Sequence, residues 1–200
     1  MQAFTDLATA AYCPRKLYYR RLRDEFDVPD RVASIRNLAF RYGELLDPTS
    51  DLHAEPIAVT PTDYRSNLAR SKARLDRGAD LVDPLETRVF WGGKDANGTA
   101  HNLLAEPAVP VIVSPGEPPE RGVWEPHAVW ATAAAKALSW ERGETVKSAY
   151  VEYPAHGVVR RVRMTTRRKA VYRKALRTAD SIDGPPPRLR NDSRCRSCAY

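Results

Sequence analysis

Three cysteines carry the most legible chemistry of this chain of 200 residues: Cys13 near one end, and Cys195 and Cys198 in a CxxC near the other. Thiolates that are few in number and far apart in sequence suit a shared metal site pinning the two ends together, since a disulfide framework normally uses more of them. The other reading is two unrelated free thiols beside an incidental pair. Basic residues accompany the thiols. Cys13 leads into Pro-Arg-Lys-Leu-Tyr-Tyr-Arg-Arg, where Arg15, Lys16, Arg20 and Arg21 interleave with Tyr18 and Tyr19. Arg160 to Tyr200 holds 13 Lys/Arg against 3 Asp/Glu, leaving 19 against 22 elsewhere, so the net charge of +7 is concentrated in the last fifth. A patch of one sign attracts polyanions, nucleic acid phosphate first among them, and the bland alternative is two ordinary solvated faces. Candidate phosphate contacts are Arg15, Lys16, Arg20 and Arg21, together with Arg167, Arg168, Lys169, Arg173, Lys174 and Arg177. Tyr18, Tyr19 or Tyr172 would offer stacking surfaces to unpaired bases, or else simply pack in the core.

The elements that must position these groups follow from periodicity and punctuation. Residues 5–12 read as a short helix opened by Thr5 or Asp6, and Pro14 can start a second one through the Tyr-Tyr-Arg-Arg run. Val32, Ile35, Leu38, Ala39, Tyr42, Leu45 and Leu46 have helical spacing, predicting one helix from Arg31 to Leu46, ended by Pro48. A polar helix from Tyr64 to Arg77, capped by Thr62 or Asp63, has thin apolar content and is expected on the surface. Thr87–Trp91 and Thr99–Leu104 read as a hairpin, Val109–Val113 as a buried strand, and His127–Trp140 as an Ala-rich helix able to pack closely on a sheet. Lys147–Tyr153 and Val158–Met164 read as a second hairpin, followed by a basic helix over Thr166–Ile182 and a spacer at Gly184-Pro185-Pro186-Pro187. The order helix, hairpin, strand, helix, hairpin, helix predicts a single α/β domain over 1–200, a mixed sheet flanked by helices. Its sheet core would span 87–182, with 1–30 and 184–200 forming the cysteine region.

The stretch CPRKLYYRR, paired with the C-terminal CxxC-x-Tyr, resembles the CRISPR-associated RecB-like exonucleases, the family of the fourth Cas protein. The likeness covers most of the chain in arrangement and only its two ends in specific motif. It implies a restriction-endonuclease-like, PD-(D/E)XK, fold and a four-iron, four-sulfur cluster held by one cysteine near the start and three near the end. Cys13, Cys195 and Cys198 would be ligands; the fourth, expected several residues beyond Cys198, is not in this sequence. Three thiolates alone suit zinc with a water or a partner ligand, whereas a four-iron cluster normally takes four cysteines.

The resemblance also implies a nuclease centre, in which carboxylates hold a divalent metal and a lysine assists the attacking water. Its motifs are GxxxH, GxxD, ExK and QxxxY. Gly43–Asp47 fits the first frame with aspartate for histidine, and Gly98–His101 the second with histidine for aspartate. In the third, Ile112 replaces the glutamate and Ser114 the lysine, while Thr132 and Lys136 occupy the fourth. Asp47 and His101 remain as candidate catalytic and metal-binding residues for Mg²⁺ or Mn²⁺, with Glu106, Glu117, Glu120 and Glu125 as nearby carboxylates. No Glu-x-Lys triplet occurs anywhere in the chain.

There is no GxxxxGKS/T, GxSxG or HExxH, which removes support for nucleotide-hydrolysing, esterase and zinc-protease readings. No apolar run approaches a membrane span, and the start lacks a signal-peptide pattern, so the expected setting is a reducing cytoplasm. The leading expectation is a DNA-binding protein with a degenerate nuclease site, acting on single strands or ends, with CRISPR adaptation proteins as partners. An active metal-dependent exonuclease and a zinc-stapled protein-interaction domain are the alternatives.

Overall fold

A computed structural model describes residues 1–23, 27–189 and 195. The chain forms a mixed open sheet with helices on both faces. A two-residue strand, β1 (Gln2–Ala3), precedes α1 (Phe4–Tyr12) and α2 (Pro14–Arg21), and α3 (Asp30–Asn37), α4 (Tyr42–Leu46) and α5 (Pro61–Arg74) follow. Then come β2 (Glu86–Gly92), β3 (Ala96–Leu104), β4 (Val109–Val113), α6 (Glu125–Arg142), β5 (Ser148–Tyr153), β6 (Val158–Arg163) and α7 (Thr166–Asp180). β3 pairs antiparallel with β2 and β4 and parallel with β1; β4 and β5 run parallel, and β6 returns antiparallel as the sheet's edge. The parallel pair requires a crossover, which α6 supplies.

Alternation along the central strands divides the core. Ile112 and Val151 face α1, α6 and α7, whereas Val111, Val113 and Tyr150 face Tyr42, Leu45, Tyr64 and Leu68. α6 owes its seat to small residues: Ala128, Ala131, Ala134, Ala135 and Ala137 are buried. At its far end a Cβ on Gly93 would lie 2.9 Å from the Ala137 Cα, so only glycine admits this approach. Gly143, at φ 68°, ends the helix in the left-handed conformation that glycine adopts without penalty.

Three expectations need correction. The apolar run over 31–46 is not one helix: α3 passes into a 3₁₀ turn at Leu38–Phe40, and the chain breaks at Arg41 before α4. Arg41 at the break is engaged by Glu44 and Glu55, which hold the bend. α5 begins at Pro61 instead of Tyr64, because Thr60 caps it by accepting the Asp63 N–H at 3.2 Å. Nor is α5 a surface helix, since Tyr64, Leu68 and Ser71 are buried and it covers the second face of the sheet. Among the described residues no helix is long and apolar enough to cross a membrane.

One polar group sits deep in this second core. Glu152, on β5, is 0% exposed and accepts a hydrogen bond from the Tyr42 hydroxyl at 2.9 Å. Among the described residues its other oxygen, the Tyr64 hydroxyl and both polar atoms of the buried Asn102 side chain have no partner; Asn102 approaches the carboxyl without reaching hydrogen-bond geometry. Burial pushes the Glu152 carboxyl up to about 8. The folded protein therefore keeps a proton that the unfolded chain gives up above its ordinary value of 4.5, so stability declines as pH rises from there toward 8. Glu152→Gln should flatten that decline and stabilise the protein at pH 8 by on the order of a few kcal/mol, each pKa unit being worth about 1.4 kcal/mol. Thermal melts of both proteins across pH 5 to 9 check this; parallel curves would refute it.

Candidate nucleic-acid interface and cysteine site

Cys13 is the single extended residue between α1 and α2, closing the first helix and opening the second, with Pro14 at the start of α2. Its neighbourhood meets the other end of the chain. Cys13, Arg15, Lys16 and Tyr19 line a cavity of about 140 Å³ together with Arg188, Leu189 and Cys195. Arg15 donates to the Pro186 carbonyl at 2.9 Å and to the Tyr19 hydroxyl at 3.0 Å, fastening the proline spacer to α2. Cys13 and Cys195 are free thiols and partly buried. Cys198 lies outside the described residues.

Lys16 also borders a larger cleft, of about 770 Å³, whose walls are α1 and α2 on one side and the start of α6 on the other. Tyr12, Lys16 and Arg20, with Arg36 from α3, line it together with Trp124, His127 and Trp130, and among the described residues Glu125 is its one acidic group. Trp124 is 51% exposed and held by its indole N–H, which donates to the Glu117 carbonyl at 2.8 Å. Aromatic planes among guanidinium and ammonium groups are what a single strand requires, bases stacking while phosphates pair.

The predicted basic residues divide in two. Arg20 is engaged with Asp6 and donates to Thr9 at 2.8 Å, and Arg21 reaches Asp6 at 3.3 Å and the Ala179 carbonyl at 2.9 Å. These two arginines stitch α2 to α1 and α7, which leaves them little charge to offer outward. Arg167, Lys169, Arg173 and Lys174 are exposed along α7, and Arg168 is half-buried. Tyr18 and Tyr19 pack edge to face at 5.2 Å, while Tyr172 is buried in the core beneath Lys136.

The nuclease frame can be followed residue by residue. Asp47 is exposed at the end of α4 and accepts hydrogen bonds from Thr49 N–H and Oγ1, which hold its carboxyl below the usual range. His101 lies on β3 against the Trp130 ring, its Nδ1 accepting the Val113 N–H at 3.0 Å. Burial, with Arg36 and Arg88 adding to it, pushes this imidazole down to about 4, so it is neutral at pH 7. Asp47 and His101 share no hydrogen bond or ion pair among the described residues. Ile112 and Thr132 are core residues, and Lys136 is exposed. Glu106 pairs with Arg142 at 3.4 Å. Among the described residues no three His, Cys, Asp or Glu side chains converge as a metal site.

In the lysine's frame Ser114 instead meets His127 Nε2 at 3.3 Å, and His127 Nδ1 meets the Tyr153 hydroxyl at 3.0 Å. Sequence reasoning passed over His127 as a helix-start residue, and only the tertiary fold brings it between its two partners. Ser114 is 3% exposed, and the chain of hydrogen bonds secures the end of β4 to α6. No family model matches the chain, and no curated protein matches it either.

The division of the arginines is testable by melting. Arg20→Ala removes the α1–α2 stitch and should cost about 1–3 kcal/mol, whereas Arg173→Ala should stay within about 0.5 kcal/mol of the parent. Equal losses for the two would contradict it.

Proposed function

We propose that this chain is a DNA-binding protein of the CRISPR-associated RecB-like, PD-(D/E)XK group that has lost its nuclease chemistry and handles single strands or DNA ends in CRISPR adaptation or repair. The observation carrying the reading is the cavity shared by Cys13 and Cys195, whose lining residue Lys16 also lines a separate basic, aromatic cleft. The succession of hairpin, strand, helix and hairpin, with a parallel pair bridged by α6, supports the fold assignment.

Cys13 and Cys195 fit a thiolate-bound centre, with Cys198 available as a third sulfur donor from the same CxxC. An iron–sulfur cluster, or zinc, would cross-link the two ends of the chain. Arg15, Lys16 and Arg188 around the cavity offset the negative charge of such a centre. The cleft residues do the binding: Arg36 and Lys16, whose ammonium lies 5.6 Å over the Tyr12 ring, meet phosphates, and Trp124 presents a face to bases. Loss of cleavage follows from the site's donors. His101 is committed to a backbone N–H, Asp47 to Thr49, and Ser114 stands where the lysine is required.

Single-strand affinity should fall steeply with salt, and Trp124→Ala should weaken it by about 1–3 kcal/mol, roughly five- to a hundredfold, without changing the melting temperature. Fluorescence anisotropy with a labelled oligonucleotide reads both; binding indifferent to salt and to Trp124 would sink the interface. Anaerobically purified protein should carry iron and sulfide, or else zinc, which Cys13→Ser diminishes; metal-free protein with unchanged stability in that variant would remove the thiolate centre.

A further inference from the structure

A second basic groove shares no residue with the cleft. It measures about 610 Å³ and lies where the end of α5, strand β6 and the first turn of α7 meet, lined by Arg74, Asp76, Arg161, Arg163, Thr165 and Arg168. Arg161 is paired with Asp76 at 2.7 Å. Arg74, Arg163 and Arg168 have no carboxylate within ion-pairing distance among the described residues, although the fold gathers them round one hollow. Guanidinium groups so assembled repel one another, and an anion seated between them relieves the repulsion.

The start of α7 does not create this site, because Thr165 already caps it by accepting the Arg168 N–H at 3.3 Å. The side chains create it. Arginine presents a planar fork matched to phosphate oxygens, and several forks round an open groove can hold a row of phosphates. Among the described residues no aromatic side chain lines the hollow, so unpaired bases would have nothing to stack on. The larger apolar residues described there are Leu75 and Val162, too little for the apolar centre of a protein interface. β6 is also the sheet's edge, which leaves its Arg161 and Arg163 end open to an extended ligand.

We propose that this groove binds the sugar–phosphate backbone of duplex nucleic acid, at a place separate from the single-strand cleft. It reads no sequence and adds affinity through charge alone. The inference stands independently of the cleft reading.

The test uses the full chain, a short labelled duplex and a series of salt concentrations. Arg74 and Arg163 are exposed, so Arg74→Gln/Arg163→Gln should melt as the parent does, while the slope of log affinity against log salt becomes shallower by roughly 1.8, about 0.9 for each phosphate no longer neutralised by a guanidinium. Arg163→Glu should weaken duplex binding further, and Trp124→Ala should leave the duplex slope unchanged. An unchanged slope in the double variant overturns the groove, and so does tighter binding of polyglutamate than of duplex. Normal duplex binding with no single-strand binding would overturn only the cleft.

Discussion

The seating of α6 on the sheet is the constraint from which the rest of the molecule follows. A crossover helix between parallel strands must lie over them, and here six of its nine buried residues are alanine, so the backbone rides low on the sheet. That depth is what lets His127 reach Ser114 and Tyr153, and what brings Trp130 against His101. It also leaves room above for α1 and α7 to pack on the same helix, which brings the first and last helices of the chain side by side. The two cysteine-bearing ends converge as a result of this packing.

Charge in this protein has two employments that composition cannot separate. Arg20 and Arg21 belong to the same basic run as Arg15 and Lys16, yet they are turned inward to Asp6 and to the end of α7. Arg74 and Arg163 were not singled out in the sequence, and the fold places them on one groove where Asp76, the acidic residue among those described there, is already paired with Arg161. A count of basic residues gives the sign of the field; its direction depends on which guanidinium groups have already been claimed.

Much of the architecture was legible because it rests on local rules. Val109–Val113 is a β-branched run bounded by prolines and a turn, and it is β4 to the residue. The second hairpin, the alanine helix and α7 fall within a residue or two of expectation, and in the first hairpin β3 starts three residues earlier, at Ala96. What was missed depends on tertiary context. α5 looked too polar for a core because only Tyr64 and Leu68 mark its buried face, but two large residues suffice against a sheet face already lined by Val111, Val113 and Tyr150. Its cap was placed at Thr62 or Asp63, whereas Pro61 already starts the helix and Thr60 caps it. β1 is two residues long and has no periodicity to read. Of the site, the thiols and the basic run were visible as residue types, but the cleft was not, since Trp124, His127 and Arg36 come from segments that share nothing in sequence.

Cys13 has a mechanical side as well. α1 and α2 meet at this one extended residue, and each contributes to the same wall of the cleft, Tyr12 from the first helix and Lys16 from the second. The sulfur thus sits at an elbow. A strut at the thiol would set the angle between the two arms, and through them the width of the opening beside Trp124.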